Sequence, residues 1–265
     1  MCHLNKILFL LLAAAMQWIT ISCTEKIDLK LKDASPKIVI EGRVTDAPGP
    51  YYVAVSESST FAQPILFNGI DSAIVIISDN AGNIDTLTKV YSGIFITNTL
   101  QGVVGRTYLL TVIADGATYN ATSTMQAPVA IDSIGFETSV GFSGRESLRA
   151  HCFFRDPAGM RNFYKIESAI NSKKHLSNEA SSDRLWDGKL RSMNVPNDTL
   201  IPGDTLDVNL LMLDENVFNY FDALEDISSG FNQPAAPANP PSNIVPQTLG
   251  YFSAHSISKQ TVIIP

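Results

Sequence analysis

Turn-forming residues divide the first half of the sequence into short apolar stretches. Segments such as APGP, DNAGN and the Asp115-Gly116 pair separate runs such as KIVIEGRVTD, SAIVIIS, IDTLTKV and RTYLLTVIA. Turns at intervals of about 8 to 12 residues favour short antiparallel strands and leave little room for helices. About seven strands of this kind, ending near Pro128, are typical of an immunoglobulin-like sandwich. Residues 36–129 are therefore predicted to form an immunoglobulin-like β-sandwich without a helix.

The second half is also rich in strand patterns, but it contains one segment with helical periodicity. The predicted strands are IDSIGFE, SLRAHCFFR, NFYKIESAI, TLDVNLLML, LGYFSAHSI and QTVIIP. After Asp214, which suits a helix N-cap, apolar residues recur at the spacing of an amphipathic helix, predicted over residues 214–227. Five of the 14 prolines fall between Asn232 and Pro246, and this density predicts a long loop. The chain is therefore predicted to be mainly β. Its second β-rich domain, residues 130–265, carries one amphipathic helix and a Pro-rich loop.

The first 22 residues have the pattern of an export signal. Lys6 is the only charged residue before Cys23, and an uninterrupted apolar run of ten residues, ILFLLLAAAM, follows it. A membrane-spanning helix needs about 20 such residues, whereas the apolar core of a secretory signal needs about 7 to 15. Residues 1–22 are therefore predicted to be a signal peptide, and the polar residues 23–35 a tether.

Cys23 directly follows this segment and is predicted to carry a lipid. Ser22-Cys23 resembles the site at which a bacterial lipoprotein signal peptidase cleaves, although Thr20 and Ile21 depart from the strict pattern. The alternative is an ordinary cysteine near an ordinary cleavage site. Each buried methylene contributes about 0.8 kcal/mol, so two or three acyl chains such as palmitate anchor a protein stably. A lipidated chain would be held at a membrane without crossing it.

Charge and cysteine content restrict the partners. Without residues 1–22 the chain keeps 18 basic and 26 acidic residues, a net charge of −8, which argues against nucleic acid as a partner. Cys152 would be the remaining free thiol, and its place in the strand pattern SLRAHCFFR predicts a small buried apolar residue. No intramolecular disulfide is expected.

The search for catalytic chemistry finds no specific motif. The histidines outside the signal segment, His151, His175 and His255, lack metal-ligand spacing, and there is no nucleophile elbow, P-loop or dinucleotide fingerprint. In SDNAGN, Asp79 could belong to a calcium loop, but a hairpin turn explains the pattern better. We therefore predict no catalytic, cofactor-binding or metal-binding residues. A hydrolase built from distant carboxylates stays open, because 26 acidic residues always offer some pair.

Seven segments together resemble a known family: PKIVIEGRVTDAPGPYYVAVSES, IISDNAGN, GRTYLLTVIADGATYNATSTM, AIDSIGF, FRDPAGMRNFYKI, IPGDTLDVNL and NPPSNIVPQTLGYFSAHS. This chain resembles the Bacteroidota outer-membrane lipoprotein family catalogued as domain of unknown function 4249, from about Pro36 to Ala254. It departs at Pro246-Gln247, where a small or glycine pair usually precedes LGYFSA. The resemblance implies a two-part β architecture, an outer-membrane location and a TonB-dependent receptor as partner.

A short motif, Asp followed by Ser or Thr and a small or aliphatic residue, occurs five times. It resembles the acceptor of O-glycosylation in exported Bacteroidota proteins. The same residues also favour turns that lead into strands. The candidate acceptors are Ser72, Thr86, Ser133, Thr199 and Thr205.

Three classes of function stay open at this stage. The first is a non-catalytic accessory or ligand-binding lipoprotein that serves a TonB-dependent receptor in nutrient uptake, with Trp186 or the Pro-rich loop at the contact surface. The others are a hydrolase acting on glycan or peptide and a structural or adhesive envelope module. The chain is expected to be lipid-anchored at the outer membrane, on either the periplasmic or the cell-surface side. Its ligand is not predicted.

Overall fold

The computed structural model describes residues 35–59, 67–140, 144, 146–229 and 239–265, and strands dominate them. Residues Ser35–Pro265 form one compact unit. The elements in chain order are β1 (Ile38–Thr45), β2 (Tyr52–Glu57), β3 (Asn68–Gly69), β4 (Ile74–Asp79), β5 (Ile84–Thr86), β6 (Thr88–Tyr91), β7 (Ile94–Ile96), β8 (Thr107–Ala114), β9 (Ala117–Thr124), β10 (Ile131–Val140), β11 (Glu146–Arg155), β12 (Phe163–Ile170), β13 (Lys173–His175), β14 (Ala180–Ser182), β15 (Leu190–Asn194), β16 (Thr205–Leu213), α1 (Glu215–Ser229), β17 (Ile244–Val245) and β18 (Leu249–Ile263).

The strands form three sheets. The largest has ten strands in the order β13-β12-β16-β18-β1-β2-β7-β6, with β14 beside β12 and β3 beside β2. A five-stranded sheet has the order β17-β9-β8-β4-β5, and a three-stranded sheet has the order β10-β11-β15. The prediction of a mainly β chain is therefore confirmed.

One strand, β18, joins the two halves of the large sheet. Its first part, from Leu249 to His255, pairs in parallel with β1, and its second part, from Ser256 to Ile263, pairs antiparallel with β16. The sequence pattern predicted two strands here, LGYFSAHSI and QTVIIP. That prediction was wrong because the polar residues between them still pair through their backbones, which does not depend on apolar side chains.

The large sheet packs against the other two sheets through separate apolar cores. Alternation along β1, β2, β4 and β8 places one face of each strand in the first core, between the ten-stranded and five-stranded sheets. The second core lies between β12 and β16 on one side and the three-stranded sheet on the other. Both pairs of facing sheets are sandwich-like. A sandwich was predicted for the first half only, whereas the second half was predicted to be rich in strands.

The predicted boundary between residues 129 and 130 lies close to where these two cores divide, since Met125 belongs to the first core and Val129 to the second. Three residues of the second half nevertheless belong to the first core, namely Ile244 of β17 and Phe252 and Ala254 of β18. The division into two domains remains a prediction.

The helix α1 begins one residue after the predicted N-cap and ends two residues beyond the predicted end. The Asp214 carboxylate accepts a hydrogen bond from the Val217 peptide N–H at 2.9 Å, which is the bond that an N-cap makes. The apolar face of α1 packs on the outer face of the large sheet against Phe163, Leu211 and Tyr251. Within the described ranges, α1 is the only helix, and it is too short and too polar to cross a membrane.

The strand predictions failed mainly at short elements. IDTLTKV is divided into β5 and β6 at Leu87, and β13, β14 and β15 were not predicted. These strands have three to five residues and little apolar content, so they lack the pattern that predicts a strand. Of the predicted Pro-rich loop, residues 230–238 lie outside the described residues. The rest contains β17, which pairs with β9.

Candidate functional site

An open cleft lies on the outer face of the large sheet, beside the area that α1 covers. It has a volume of about 330 Å³ and is lined by side chains from β1, β2, β12, β16 and β18 and from the segment after β12. Strand alternation brings these side chains to one face, because they occupy every second position of neighbouring strands. The polar residues at its surface include Arg43, Tyr52, Glu167, Lys174, Asn209 and Lys259.

Positive charge predominates in this cleft. Arg43 lies 4.9 Å above the Tyr52 ring, and its guanidinium is 3.8 Å from the Glu167 carboxylate. Lys174 and Lys259 have no carboxylate within 4.0 Å among the described residues. Three basic groups therefore face one acidic group, although the whole chain has a net charge of −7. Such a local excess attracts anionic groups.

A buried polar layer lies close to the cleft. His255 is 3 % exposed; its Nδ1 is 2.8 Å from the Ser253 hydroxyl, and its Nε2 has no hydrogen-bond partner among the described residues. Burial, with smaller contributions from Arg43 and Lys165, lowers the pKa of His255 to about 3, so the imidazole is neutral at pH 7. Ser253 is 1 % exposed, so a substrate does not reach its hydroxyl in this structure.

Lys165 belongs to the same layer. It is 3 % exposed, and its Nζ lies 4.9 Å from the Phe221 ring of α1. Burial lowers the pKa of Lys165, Glu167 opposes this shift and Arg43 reinforces it. The sequence did not indicate this layer, because Lys165 and His255 lie 90 positions apart and are brought together only by the order of strands in the sheet.

A second arrangement of polar groups lies at one end of β12. Oxygens of Asp156, Asp183 and Asp187 lie within 4.8 Å of one another. Asp156 and Asp183 are 2 % and 4 % exposed, whereas Asp187 lies at the surface. The sequence analysis predicted no metal-binding residues, and it missed this cluster because the spacing of 27 and 4 positions matches no metal-binding motif.

The structure places the candidate O-glycosylation residues in exposed or half-buried positions. Ser72, Thr86, Ser133 and Thr199 are exposed, and Thr205 is half-buried at the start of β16. Four of the five preceding aspartates have structural roles, because they accept hydrogen bonds from neighbouring loops or strands. These hydrogen bonds explain the presence of the four aspartates without glycosylation. Modification of the neighbouring hydroxyls remains a prediction.

The remaining predicted residues have different positions. Cys23, the predicted lipidation site, lies outside the described residues. Cys152 is fully buried in the second core, and burial, followed by the charge of Asp132, raises the pKa of its thiol to about 12. Trp186 is 44 % exposed. Asp79 forms the predicted hairpin turn between β4 and β5, and its carboxylate accepts hydrogen bonds from Ala81, Asn83 and Arg106.

Similarity to known proteins extends over most of the chain. No curated protein matches the sequence. A two-domain fibronectin type-III segment from chicken tenascin is similar to this chain at 13 % identity, covering 68 % of this chain and 91 % of that one, with a TM-score of 0.21. The family described as "Domain of unknown function (DUF4249)" matches residues 24–261. Because this match spans nearly all of Ser35–Pro265, the chain belongs to that family.

Proposed function

We propose that this protein is an outer-membrane lipoprotein, anchored through Cys23, that captures an anionic ligand for a TonB-dependent receptor and performs no catalysis itself. The anchor is supported by the ten-residue apolar run and by the serine before Cys23. The partnership is supported by the family resemblance described above, which implies an accessory role beside such a receptor.

The cleft on the outer face of the large sheet is the observation that carries the binding role. It exposes Arg43, Lys174 and Lys259 to a ligand, and only Arg43 has a carboxylate nearby. Arg43 is also held in place by the Tyr52 ring, so little side-chain entropy is lost when it binds a carboxylate, sulfate or phosphate group. Asn209 offers an amide for orientation.

The anchor is tested by Cys23→Ala in the native host, with Cys152→Ala as the matched control. Cys152 is buried, so its replacement should leave lipidation unchanged. We expect labelled palmitate in the wild type and in Cys152→Ala but not in Cys23→Ala, and we expect Cys23→Ala to leave the outer-membrane fraction. A wild type that takes up no label would refute the anchor.

The partnership is tested by purification from native outer membranes in mild detergent. We expect a large β-barrel receptor to copurify with the wild type. Repeated recovery of this chain alone would count against the receptor partnership while leaving the anchor intact.

The cleft is tested separately, with the double variant Lys174→Glu/Lys259→Glu and with Lys37→Glu as a control on an exposed residue outside the cleft. A panel of anionic glycans and peptides would be screened at low salt. We expect the double variant to lose binding and the control to retain it, because only the former reverses the charge of the cleft. Equal binding by both variants would exclude the cleft as the binding site for the anionic ligand.

The five Asp-Ser/Thr motifs remain candidate acceptors for glycans. The intact mass of the native protein is the direct measurement. A mass equal to that of chain plus lipid would show that none of them is used.

A further inference from the structure

The three aspartates at the end of β12 have the arrangement of a cation site. Asp156 and Asp183 are almost fully buried, and buried carboxylates are normally paired with a cation or bound to a metal. Among the described residues, no basic nitrogen lies within 4.0 Å of any of the three carboxylates. Arg191 is nearby, but it donates to the Ser182 carbonyl at 2.8 Å and to the Ser181 hydroxyl.

Hydrogen bonds hold the carboxylates in place and leave oxygens free for a ligand. Asp156 accepts from the Tyr164 hydroxyl and from the Gly188 peptide N–H at 2.9 Å. One oxygen of Asp183 accepts from the Asn162 peptide N–H at 2.8 Å, and one oxygen of Asp187 accepts from that of Gly159 at 2.7 Å. The other oxygens of Asp183 and Asp187 accept no hydrogen bond from the described residues.

The independent sign of a ligand is an oxygen of Asn162. This residue is 6 % exposed, and its Oδ1 is buried with no hydrogen-bond partner in the described part of the chain. Two hydrogen bonds join Asn162 to Asp183 directly. The Asn162 peptide N–H donates to the Asp183 carboxylate at 2.8 Å, and the Asp183 N–H donates to the Asn162 carbonyl at 3.0 Å. The Asn162 side chain therefore begins beside the Asp183 carboxylate, within the same cluster.

The distances suit calcium. Calcium binds oxygen ligands at about 2.3 to 2.6 Å, so two oxygens on opposite sides of one ion are about 4.6 to 5.2 Å apart. The aspartate oxygens lie within 4.8 Å of one another, which one such ion spans. Carboxylate and amide oxygens are hard ligands that calcium and magnesium prefer over transition metals. The sharper geometric demands of magnesium make calcium the better match for ligands on three separate loop positions.

We propose that Asp156, Asp183 and Asp187, with Asn162 Oδ1 as a fourth ligand, bind one Ca²⁺. The ion would join the segment before β12 to the segment after β14. A cavity of about 330 Å³ beside the cluster, lined by Met160 and Arg184 among others, gives solvent and the ion access. The site is independent of the cleft and of the proposed receptor partnership.

Trp186 provides a direct probe for this site. The only other tryptophan in the sequence, Trp18, lies in the predicted signal peptide. Trp186 would therefore be the single tryptophan of the mature chain. It also lies between Asp183 and Asp187 and donates its peptide N–H to the Asp183 carbonyl at 2.6 Å. Tb³⁺ substitutes for Ca²⁺ and emits light when a nearby tryptophan is excited. The mature chain would be titrated with Tb³⁺ after treatment with a chelator.

We expect saturable Tb³⁺ emission at one ion per chain, and we expect Ca²⁺ to abolish it by competition. Ca²⁺ at 100 times its Kd should also shift the folding equilibrium toward the native state by about 100-fold. No emission above that of the unfolded chain, or stabilisation by Mg²⁺ and not by Ca²⁺, would overturn the proposal.

The variant Asp187→Asn tests the assignment to these residues, with Asp132→Asn as its control. Both aspartates are exposed, so neither change should prevent folding, which circular dichroism in chelator would verify. Removing one ligand charge should weaken Ca²⁺ binding by about tenfold or more. Asp132→Asn should bind as the wild type does. Equal affinity of Asp187→Asn and the wild type would refute the site.

Discussion

At the scale of single residues, several polar side chains of this protein are buried and serve the fold. Asp85, which precedes the candidate acceptor Thr86, illustrates this role. The residue is 5 % exposed, and its carboxylate accepts hydrogen bonds from the peptide N–H groups of Asn98, Thr99 and Leu100 at 2.8 to 2.9 Å. Burial alone would raise the pKa of Asp85, but these bonds lower it below its usual range.

We predict that Asp85→Asn destabilises the protein by about 2 kcal/mol at pH 7, because hydrogen bonds to a charged acceptor are replaced by weaker ones to a neutral amide. The lowered pKa means that this contribution is complete above the pKa of the unfolded chain and is lost as the pH falls toward the folded pKa. Urea unfolding measures the difference. Asp132→Asn, at an exposed position, should change the free energy of unfolding little, and equal effects of both variants would contradict the prediction.

His255 should make stability depend on pH above the range in which carboxylates titrate. Its pKa is about 3 in the folded protein, against 6.5 as the ordinary value, so only the unfolded chain gains a proton as the pH falls through this window. Protonation of the unfolded chain should therefore destabilise the native state by about 2 to 3 kcal/mol between pH 7.5 and pH 4.5.

The variant His255→Gln should lack this loss. The measurement is the free energy of unfolding in urea at several pH values between 7.5 and 4.5, for the variant and for the wild type. Groups that titrate in both proteins cancel in the difference, so the difference isolates the imidazole. Parallel curves for the two proteins would show that His255 is not buried as a neutral group.

At the scale of elements, the sequence predicted the longer strands and the helix but not how they are arranged. Alternation in β16 and helical spacing after Asp214 are local patterns, and both predictions are confirmed. The parallel pairing of β1 with β18 joins residues about 210 positions apart and has no local pattern. The cleft and the cluster of Asp156, Asp183 and Asp187 depend on such pairings, so neither could be predicted from the sequence.

Gly250 shows what this parallel pairing requires of the sequence. It has a φ of +93°, and a Cβ added there would lie 2.0 Å from the Ile40 carbonyl oxygen of β1. Only glycine combines this φ with such a close backbone approach. We predict that Gly250→Ala destabilises the protein by about 3 kcal/mol or more, because both the backbone strain and the contact oppose folding.

Gly82 offers a matched control for this prediction. It has a φ of +89°, and an added Cβ would have no atom within 4 Å. Gly82→Ala should therefore cost only the backbone strain, about 1 to 2 kcal/mol. Thermal or urea unfolding of both variants gives the comparison. Equal destabilisation would show that the contact with β1 contributes nothing.

At the scale of the whole molecule, the ten-stranded sheet connects both cores. Strand β18 places Phe252 and Ala254 in the first core. Its pairing with β16 ends at Ile263, and the next residue, Ile264, lies in the second core. A strand that contributes to two cores couples their stability, because removing it exposes apolar surface in both. Strand spacing alone could predict a sandwich in the first half and further strands in the second, but it could not predict that one strand would contribute to both cores.

This coupling leads to a prediction about the boundary between residues 129 and 130. A fragment of residues 36–129 would lack Ile244, Phe252 and Ala254, which are buried in its core, and it would leave β1 without its parallel neighbour. The exposed edge and the missing apolar contacts should prevent the fragment from unfolding cooperatively.

A second fragment, residues 36–129 linked to residues 239–257, restores β17 and the first part of β18. We expect a sigmoidal urea transition, measured by circular dichroism, for the linked fragment and not for the shorter one. Cooperative unfolding of residues 36–129 alone would show that the first half is an independent domain and that β18 joins two units that are each stable without it.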